Sequence, residues 1–207
     1  MKVLGVTGGI GSGKSYICKK FAEMGIPVYD SDSRTKELYN KSPKLLSSLV
    51  SLLGPSIVKK EGESLVLNKE AMASKIFADK ALMEKVKEIV YPAVMQNFRR
   101  WKGAQKRIAE ERGKKVPFVI LESAVILENA IVKKDTDFVL AVQAPKELRA
   151  ERVMKRDNIS RKVVFERMAS QWTDEKRAAH SDFILDNVPG KDLDKEIVKL
   201  YKKIEKR

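Results

Sequence analysis

The segment VLGVTGGIGSGKSY, residues 3–16, combines a short apolar run with closely spaced glycines, which a lysine and a serine follow. The apolar run, residues 3–6, is typical of a buried strand, and residues 14–24 have the periodicity of a helix. A strand that turns through glycines into a helix directs backbone N–H groups and the positive end of the helix at one point, where phosphate oxygens bind. The segment therefore predicts a phosphate-binding loop between a strand and a helix.

The spacing within this loop indicates which phosphates it binds. Gly8 and Gly13 are separated by four residues, and Lys14 and Ser15 follow directly, as in the P-loop pattern. In that pattern the lysine reaches the β- and γ-phosphates and the hydroxyl binds Mg²⁺, so a nucleoside triphosphate with Mg²⁺ is the expected ligand. The residues expected to bind ATP in this segment are Gly9, Gly11, Ser12, Gly13, Lys14, Ser15 and Tyr16.

Composition and charge limit the class of protein. The 207 residues are 43% hydrophobic, which is enough for one full core. The single cysteine, Cys18, cannot form an intramolecular disulfide, and the apolar runs are too short for a signal peptide or a membrane span, so we expect a cytoplasmic protein. The net charge of +14 suits nucleic acid, a small polyphosphate ligand or a surface rich in lysine, and charge alone does not choose between them.

Strand and helix patterns alternate along the chain and predict an α/β fold. A second short strand is expected at residues 26–29, directly after the first helix. The segments at 116–121 and 137–142 are near-continuous apolar runs, which are typical of parallel strands covered on both faces. Residues 182–187 are the expected last strand. The fold class is a core with a parallel sheet flanked by helices.

Two mainly helical insertions interrupt this core, at about 34–112 and 146–180. In the first, the last helix is expected to begin at Pro92 and to stop before Gly113. In the second, a pair or trio of arginine-rich helices is expected, with Ser160 and Thr173 as N-caps. Both insertions follow strands, and ligands of open parallel sheets bind at that carboxyl edge.

The segment VYDSDSRTK, residues 28–36, offers a group that could receive a proton from a phosphate acceptor. Asp30 and Asp32 are candidates to orient an attacking hydroxyl, and either could instead cap a helix over residues 33–40. The guanine-reading Asn-Lys-x-Asp segment of GTPases is absent from the sequence, and nothing repeats as in motor-type ATPases. A small-molecule kinase is therefore the favoured class.

Several motifs resemble those of dephospho-CoA kinases in their order and spacing, over nearly the whole chain. They are TGGIGSGKS at 7–15, Asp-x-Asp at 30–32, ILEN at 126–129, RVMKRD at 152–157, RMASQ at 167–171 and DFILDN at 182–187. The resemblance implies ATP-dependent phosphorylation of the ribose 3′-hydroxyl of dephospho-CoA, the last step of coenzyme A synthesis. It also implies a division of the chain: a P-loop kinase core at 1–33, 113–145 and 181–207, a helical CoA-binding insertion at 34–112 and a helical lid at 146–180.

The resemblance also implies roles for particular residues. Asp32 falls on the catalytic aspartate of the family, and Thr7 on a residue kept close to the reaction. Arg152 and Arg156 resemble the phosphate-contacting arginines of the lid, with Arg152 expected in catalysis and Arg156 in ATP binding. Independently, these two arginines are four residues apart on a predicted helix, so they share a face. A solvated basic face is the alternative interpretation.

The acceptor side departs from the family pattern. Tyr91 stands where the family has the histidine of a His-Pro pair, and Lys36 and Lys69 stand where it has arginines. A lysine keeps the charge but lacks the bidentate fork of arginine. Residues 124–126 read Ala-Val-Ile in place of Pro-Leu-Leu. Tyr91, Lys36 and Lys69 remain the residues expected, with Asp32, to bind the acceptor.

Other conspicuous residues receive structural interpretations or stay unassigned. His180, Trp101 and Trp172 are interpreted as structural, although Trp172 could also lie near a nucleotide base. Glu122 and Glu128 are equally good candidates to hold a Mg²⁺-bound water, and neither is assigned.

The expected partners are ATP and dephospho-CoA, without nucleic acid or membrane, and the sequence does not predict the oligomeric state. Two alternatives remain: another small P-loop kinase that acts on a nucleotide or hydroxyl metabolite, and a nucleic-acid-binding ATPase, which the charge alone favours.

Overall fold

The computed structural model of the protein describes residues 1–62 and 64–207, which form two units. The first comprises Met1–Asp30 and Lys102–Arg207, and the second comprises Ser31–Trp101. In chain order the elements are β1 (Lys2–Thr7), α1 (Lys14–Glu23), β2 (Val28–Asp30), α2 (Ser31–Lys41), α3 (Pro43–Leu53), a 3-10 turn (Pro55–Ile57), β3 (Val58–Glu61), β4 (Ser64–Leu67), α4 (Lys69–Ala78), α5 (Lys80–Glu111), β5 (Phe118–Glu122), α6 (Ala130–Lys133), β6 (Phe138–Gln143), α7 (Lys146–Asp157), α8 (Arg161–Ala169), α9 (Asp174–Ala179), β7 (Phe183–Asp186) and α10 (Leu193–Lys206).

A parallel sheet organises the first unit. Within the described residues it has five strands in the order β2-β5-β1-β6-β7, with β1 paired to both β5 and β6. The strands predicted from the apolar runs are confirmed, with ends displaced by one or two residues. Because β1 is central, the loop that follows it emerges in the middle of the carboxyl edge of the sheet.

The core of the first unit explains the near-continuous apolar strands. Val3, Leu4 and Val6 are all fully buried, so β1 is covered on both faces. Phe118 of β5 packs edge-on against Phe21 of α1, with ring centroids 6.0 Å apart, and also contacts the ring of Tyr201 of α10. The α/β fold class predicted from the sequence is confirmed.

The helices that follow β6 begin where the sequence indicated. The Ser160 hydroxyl accepts a hydrogen bond from the backbone N–H of Val163, and the Thr173 hydroxyl accepts one from Lys176, so both predicted N-caps are confirmed. Helices α7 and α8 pack through an apolar cluster of Ala150, Val153, Val164 and Met168.

The second unit contains a hairpin that the sequence did not predict. Strands β3 and β4 pair antiparallel, with Val58 opposite Leu67, inside a region expected to be mainly helical. The strands were missed because β3, VKKE, is short and exposed over residues 59–61, so it lacks an apolar alternation.

The prediction that a helix begins at Pro92 is wrong, because Pro92 lies inside α5. Val86, Val90 and Val94 are all buried, so one apolar stripe continues on both sides of the proline. Burial of this stripe stabilises the helix despite the hydrogen bond that proline removes. In the part of the chain that the structure describes, no helix is both long and apolar enough to cross a membrane.

The expected start of α2 is also corrected. The helix begins at Ser31, directly after β2, so Asp32 lies in its first turn and is not the cap of a helix over residues 33–40. The Ser31 carbonyl accepts a hydrogen bond from the Thr35 hydroxyl at 2.7 Å. A carboxylate in the first turn interacts favourably with the helix dipole.

Candidate active site

The loop between β1 and α1 has the backbone geometry that its glycines allow. Gly11 and Gly13 adopt φ values of 79° and 92°, a region that side-chain-bearing residues rarely enter. The Ser12 N–H donates to the Gly9 carbonyl at 3.1 Å, which closes the turn. Gly13 precedes α1 in a left-handed conformation and supplies no side-chain cap. The first N–H groups of α1 are therefore available to phosphate oxygens.

Neighbouring side chains pack directly against this loop. A Cβ atom on Gly9 would overlap the Arg149 guanidinium, and one on Gly13 would overlap the Asn187 amide. The Asn187 Nδ2 donates to the Ser12 carbonyl at 2.9 Å. Close approach therefore adds a second reason for glycine at these positions.

Lys14 and Ser15 lie at the start of α1. The Lys14 Nζ donates to the Gly8 carbonyl at 3.0 Å, so the ammonium folds back over the loop. The Ser15 hydroxyl donates to Glu122 Oε1 at 2.6 Å. Lys14 is half-buried and Ser15 is exposed. The arrangement brings a cation, a hydroxyl and a carboxylate together at the carboxyl edge of the sheet.

Glu122 at the end of β5 has a perturbed environment. Burial raises the pKa of its carboxyl, and the nearby Asp30 charge raises it further, while the hydrogen bond from Ser15 and the Lys14 charge oppose the shift. Asp30 ends β2 directly beside Glu122 on the paired strand. The Cys18 thiol also hydrogen-bonds Glu122, and burial raises the pKa of this thiol well above its ordinary value. Two carboxylates and a hydroxyl thus lie in one small region.

The two arginines of α7 have different surroundings. Arg152 donates from Nη2 to the Asn187 carbonyl at 3.2 Å and from Nη1 to the Gly11 carbonyl at 3.5 Å. Arg156 is exposed and forms a bidentate ion pair with Asp157, with Nε 2.7 Å and Nη2 3.0 Å from the carboxylate oxygens. The structure therefore brings Arg152, and not Arg156, into contact with the P-loop.

A cleft of about 490 Å³ adjoins the loop on the side of Arg152. It is lined by Gly13, Tyr16, Arg152, Asn187, Val188, Pro189, Gly190, Lys191 and Leu193. Tyr16 is half exposed there. Thr7, in contrast, is fully buried, and its hydroxyl donates to the Ala124 carbonyl at 3.2 Å. Thr7 therefore fixes the segment after β5 at the end of β1.

The residues expected to bind the acceptor lie in the second unit. Asp32 and Lys36 are exposed and one turn apart on α2. Lys69 is the first residue of α4 and lines a cleft of about 630 Å³ in the same unit. Tyr91 is half-buried in α5 near Tyr39, where burial and the charge of Tyr91 raise the pKa of the Tyr39 hydroxyl.

Glu128, Trp172 and His180, to which sequence analysis assigned no catalytic role, are linked by contacts near α9. Glu128 accepts from the Arg177 guanidinium and from the Trp172 N–H, each at 3.3 Å. Trp172 packs edge-on against His180, with Lys176 over its ring. His180 is exposed, and its Nδ1 lies 2.8 Å from the Lys176 carbonyl.

Sequence reasoning missed four residues that contact the P-loop or lie beside it. Asn187 and Gln171 are the last residues of the motifs DFILDN and RMASQ, and that position could have indicated a role at the site. Gln171 Oε1 accepts a hydrogen bond from the Ile10 N–H at 2.8 Å. Arg149 and Arg177 gave no signal, because they stand among many other basic residues of the second insertion.

Comparison with known proteins shows the family to which the chain belongs. The sequence model of the family described as dephospho-CoA kinase matches residues 2–192. The chain belongs to the dephospho-CoA kinase family. Its relatives include dephospho-CoA kinases from Bacteroides fragilis, 33% identical with 97% of this chain and 94% of the relative covered, and from Porphyromonas gingivalis, 33% identical with 99% and 95% covered. The crystal structure of a Thermus thermophilus protein is similar with a TM-score of 0.78, at 25% identity, with 98% of this chain and 96% of that protein covered.

Family membership confirms the predicted activity class. The chain is a P-loop kinase of coenzyme A biosynthesis that uses ATP and dephospho-CoA. The resemblance drawn from its motifs is confirmed as well. The roles of individual residues and of the ranges 34–112 and 146–180 stay predictions.

Proposed function

We propose that the chain transfers the γ-phosphoryl group of ATP to the ribose 3′-hydroxyl of dephospho-CoA, giving coenzyme A and ADP. The observation that carries this proposal is the P-loop geometry, in which the Lys14 ammonium folds over Gly8 and the Ser15 hydroxyl meets Glu122. Phosphoryl transfer needs little covalent chemistry from the protein, so catalysis rests on positioning and on charge stabilisation. Each proposed residue has one of these two tasks.

The triphosphate binds at the loop and the start of α1. Backbone N–H groups of the loop and of the first turn of α1 bind the phosphates, and Lys14 leaves the Gly8 carbonyl to bind the β- and γ-phosphates. Arg152, which contacts the loop through Gly11, stabilises the charge that develops on the transferring group. The cleft of about 490 Å³ that begins at Gly13 and Tyr16 holds the nucleoside. Arg156 binds ATP by exchanging the Asp157 carboxylate for a phosphate.

The oxygen ligands around Ser15 fit Mg²⁺. This cation takes few protein ligands, prefers carboxylate and hydroxyl oxygens, and binds substrate phosphates and water at its other positions. Ser15 would hold the ion directly, and Glu122, 2.6 Å from the Ser15 hydroxyl, would hold one of its waters, with Asp30 beside it. The bound ion would neutralise charge on the β- and γ-phosphates. Glu128 is less suited, because Arg177 and Trp172 already occupy its Oε1.

Asp32 orients the acceptor and takes the proton from its 3′-hydroxyl. The residue is exposed in the first turn of α2, so its carboxylate is accessible to a substrate. Lys36, one turn further along the same helix, suits the diphosphate of dephospho-CoA, and Lys69 and Tyr91 contribute from α4 and α5. Thr7 acts by fixing the segment after β5 through Ala124.

The larger segments take the roles that the resemblance implies. Residues 34–112 bind the acceptor, residues 146–180 form a lid over the phosphates, and the protein acts in the cytoplasm. The lid role is supported by Arg152 and Gln171, because both belong to this segment and both contact the P-loop.

An acceptor panel tests the proposal. Purified protein with ATP and Mg²⁺ is supplied in turn with dephospho-CoA, AMP, adenosine and shikimate, and ADP formation is followed with each. We expect dephospho-CoA to give coenzyme A with equimolar ADP and the other acceptors to react far less. Turnover of another acceptor in preference to dephospho-CoA would overturn the proposed function.

A further inference from the structure

Two buried guanidinium groups lie beside the P-loop and have no role in the proposed function. Arg177 of α9 is 1% exposed and Arg149 of α7 is 8% exposed, although arginine is rarely buried to this extent unless it is paired. A Cβ atom placed on Gly9 would overlap Arg149 Nη1 and would lie 3.4 Å from Arg177 Nη1. Both guanidiniums therefore lie on the side of Gly9 toward which a Cβ atom would project.

Carboxylates hold the pair in this position. Asp174 Oδ1 lies 3.3 Å from Nη1 of both arginines, and Glu128 Oε1 lies 3.3 Å from Arg177 Nη2. The Gln143 side chain also donates to the Asp174 carbonyl at 3.1 Å, which ties the cluster to the end of β6. Two cations and two carboxylates thus form a nearly closed network, and the fixed carboxylates fix the guanidiniums.

The network remains short of hydrogen-bond acceptors. Nε of Arg149 and Nε of Arg177 are buried, and within the described residues neither has a partner. Leaving buried polar groups unsatisfied is costly, so such an arrangement in a native structure calls for a compensating function. Because the P-loop is adjacent to both guanidiniums, we expect that function to concern the P-loop.

The contact of Lys14 indicates which phosphates bind near the pair, if the loop is compared with the P-loop pattern. The Lys14 ammonium, which serves the β- and γ-phosphates in a P-loop, lies at the Gly8 carbonyl, one residue before Gly9. One residue after Gly9, the Ile10 N–H donates to Gln171 at 2.8 Å, and Gln171 precedes Asp174 by three positions. The segment 171–177 therefore contacts the loop at Ile10 and lies beside it at Gly9.

We propose that Arg149 and Arg177 are positioning residues for the β- and γ-phosphates: their guanidiniums fix Gly9, and with Gln171 they hold this side of the P-loop in its phosphate-binding conformation. The proposal rests on the proposed function only in taking ATP as the ligand of the loop. The glycine at position 9 then has a specific explanation. The φ of Gly9 is not positive, so the backbone conformation allows alanine there. The Arg149 guanidinium, however, occupies the space that an alanine Cβ atom would need.

Nucleotide binding tests this proposal without any acceptor. Dissociation constants of AMP and ATP are measured by calorimetry for the wild-type protein and for Arg149→Gln, Arg149→Lys and Gly9→Ala. Because the loss of a hydrogen bond to a charged phosphate costs about tenfold or more in affinity, we expect Arg149→Gln and Gly9→Ala to weaken ATP binding by about tenfold or more. AMP, which lacks the β- and γ-phosphates, should lose less than about twofold, and Arg149→Lys should recover part of the ATP affinity.

Arg161→Gln is the matched control, because Arg161 is an exposed arginine of the neighbouring helix α8 that pairs with Glu147. Its ATP and AMP affinities should equal those of the wild type. The double variant Gly9→Ala with Arg149→Gln should bind ATP no more weakly than the weaker of its two single variants, since the two changes act on one contact. Thermal unfolding of every variant identifies those that do not fold. The nucleotide affinities of the folded variants then test the positioning role.

Equal losses of AMP and ATP affinity, or no loss in either Arg149→Gln or Gly9→Ala, would overturn the proposal, because the pair would then only support the fold. The result is separable from the proposed function. A protein that binds ATP as expected but does not phosphorylate dephospho-CoA contradicts the function alone. A protein that phosphorylates dephospho-CoA, while its variants keep the wild-type ratio of ATP to AMP affinity, contradicts the positioning role alone.

Discussion

The hydroxyl of Ser15 donates to Glu122 Oε1 at 2.6 Å and so joins the first turn of α1 to the end of β5. The two residues are 107 positions apart in the chain, and parallel strands bring them to one edge of the sheet. The contact gives the P-loop hydroxyl a fixed direction, because a buried carboxylate cannot readily reorient. It also makes the site sensitive to the protonation of Glu122.

Glu122 should make the folded protein less stable as pH rises through the acid range. Burial raises its pKa above the ordinary value of 4.5, so between that value and the raised one the folded state binds more protons than the unfolded chain. The free energy of unfolding, relative to that of Glu122→Gln, should therefore fall as pH increases through this window and then level off. Urea unfolding of both proteins from about pH 4 to 8, without Mg²⁺, measures the difference.

Glu166→Gln, which changes an exposed glutamate of α8, is the matched control for the loss of a carboxylate. A stability difference between wild type and Glu122→Gln that stays constant or grows with pH would contradict this assignment.

Lys14→Ala should abolish turnover while the protein stays folded. The side chain is half-buried and donates to the Gly8 carbonyl, and its removal deletes the cation that the P-loop pattern places at the β- and γ-phosphates. The loss of transition-state stabilisation should be on the order of several kcal/mol. Steady-state kinetics and thermal unfolding measure the two effects, with Lys19→Ala on the exposed face of the same helix as the control. Near-wild-type activity would refute the P-loop assignment.

The phosphate loop was predictable because its chemistry requires particular residues at fixed local spacing, from Gly8 to Ser15. The central strands β1, β5 and β6 were predictable because burial on both faces requires continuous apolar runs. The contacts of Arg149 and Asn187 with the loop were not, because they join residues more than 100 positions apart and depend on side-chain packing that no local pattern encodes. The helix through Pro92 was missed because tertiary burial outweighed a strong local signal.

Asp30 and Asp32 should differ in what they lose when each is changed to asparagine. Asp32→Asn should lower kcat by about 100-fold or more at saturating Mg²⁺, because the residue orients and deprotonates the acceptor, and ATP affinity should hardly change. Asp30 ends β2 beside Glu122, so Asp30→Asn should mainly raise the Mg²⁺ concentration needed for half-maximal rate. Kinetics at varied Mg²⁺ and ATP titrations of both variants separate the two roles. An Asp32→Asn variant that kept its kcat and lost only acceptor affinity would make Asp32 a binding residue and leave the proton to another group.

The position of the new phosphate tests the central claim most directly. Dephospho-CoA is incubated with ATP, Mg²⁺ and the wild-type protein, and the product is examined by phosphorus NMR with coupling to the ribose protons. The account predicts a new phosphomonoester coupled to the proton on the 3′ carbon, formed in equal amount with ADP and absent when Lys14→Ala replaces the wild type. A phosphomonoester on another carbon, or ADP formed without any phosphorylated acceptor, would contradict it.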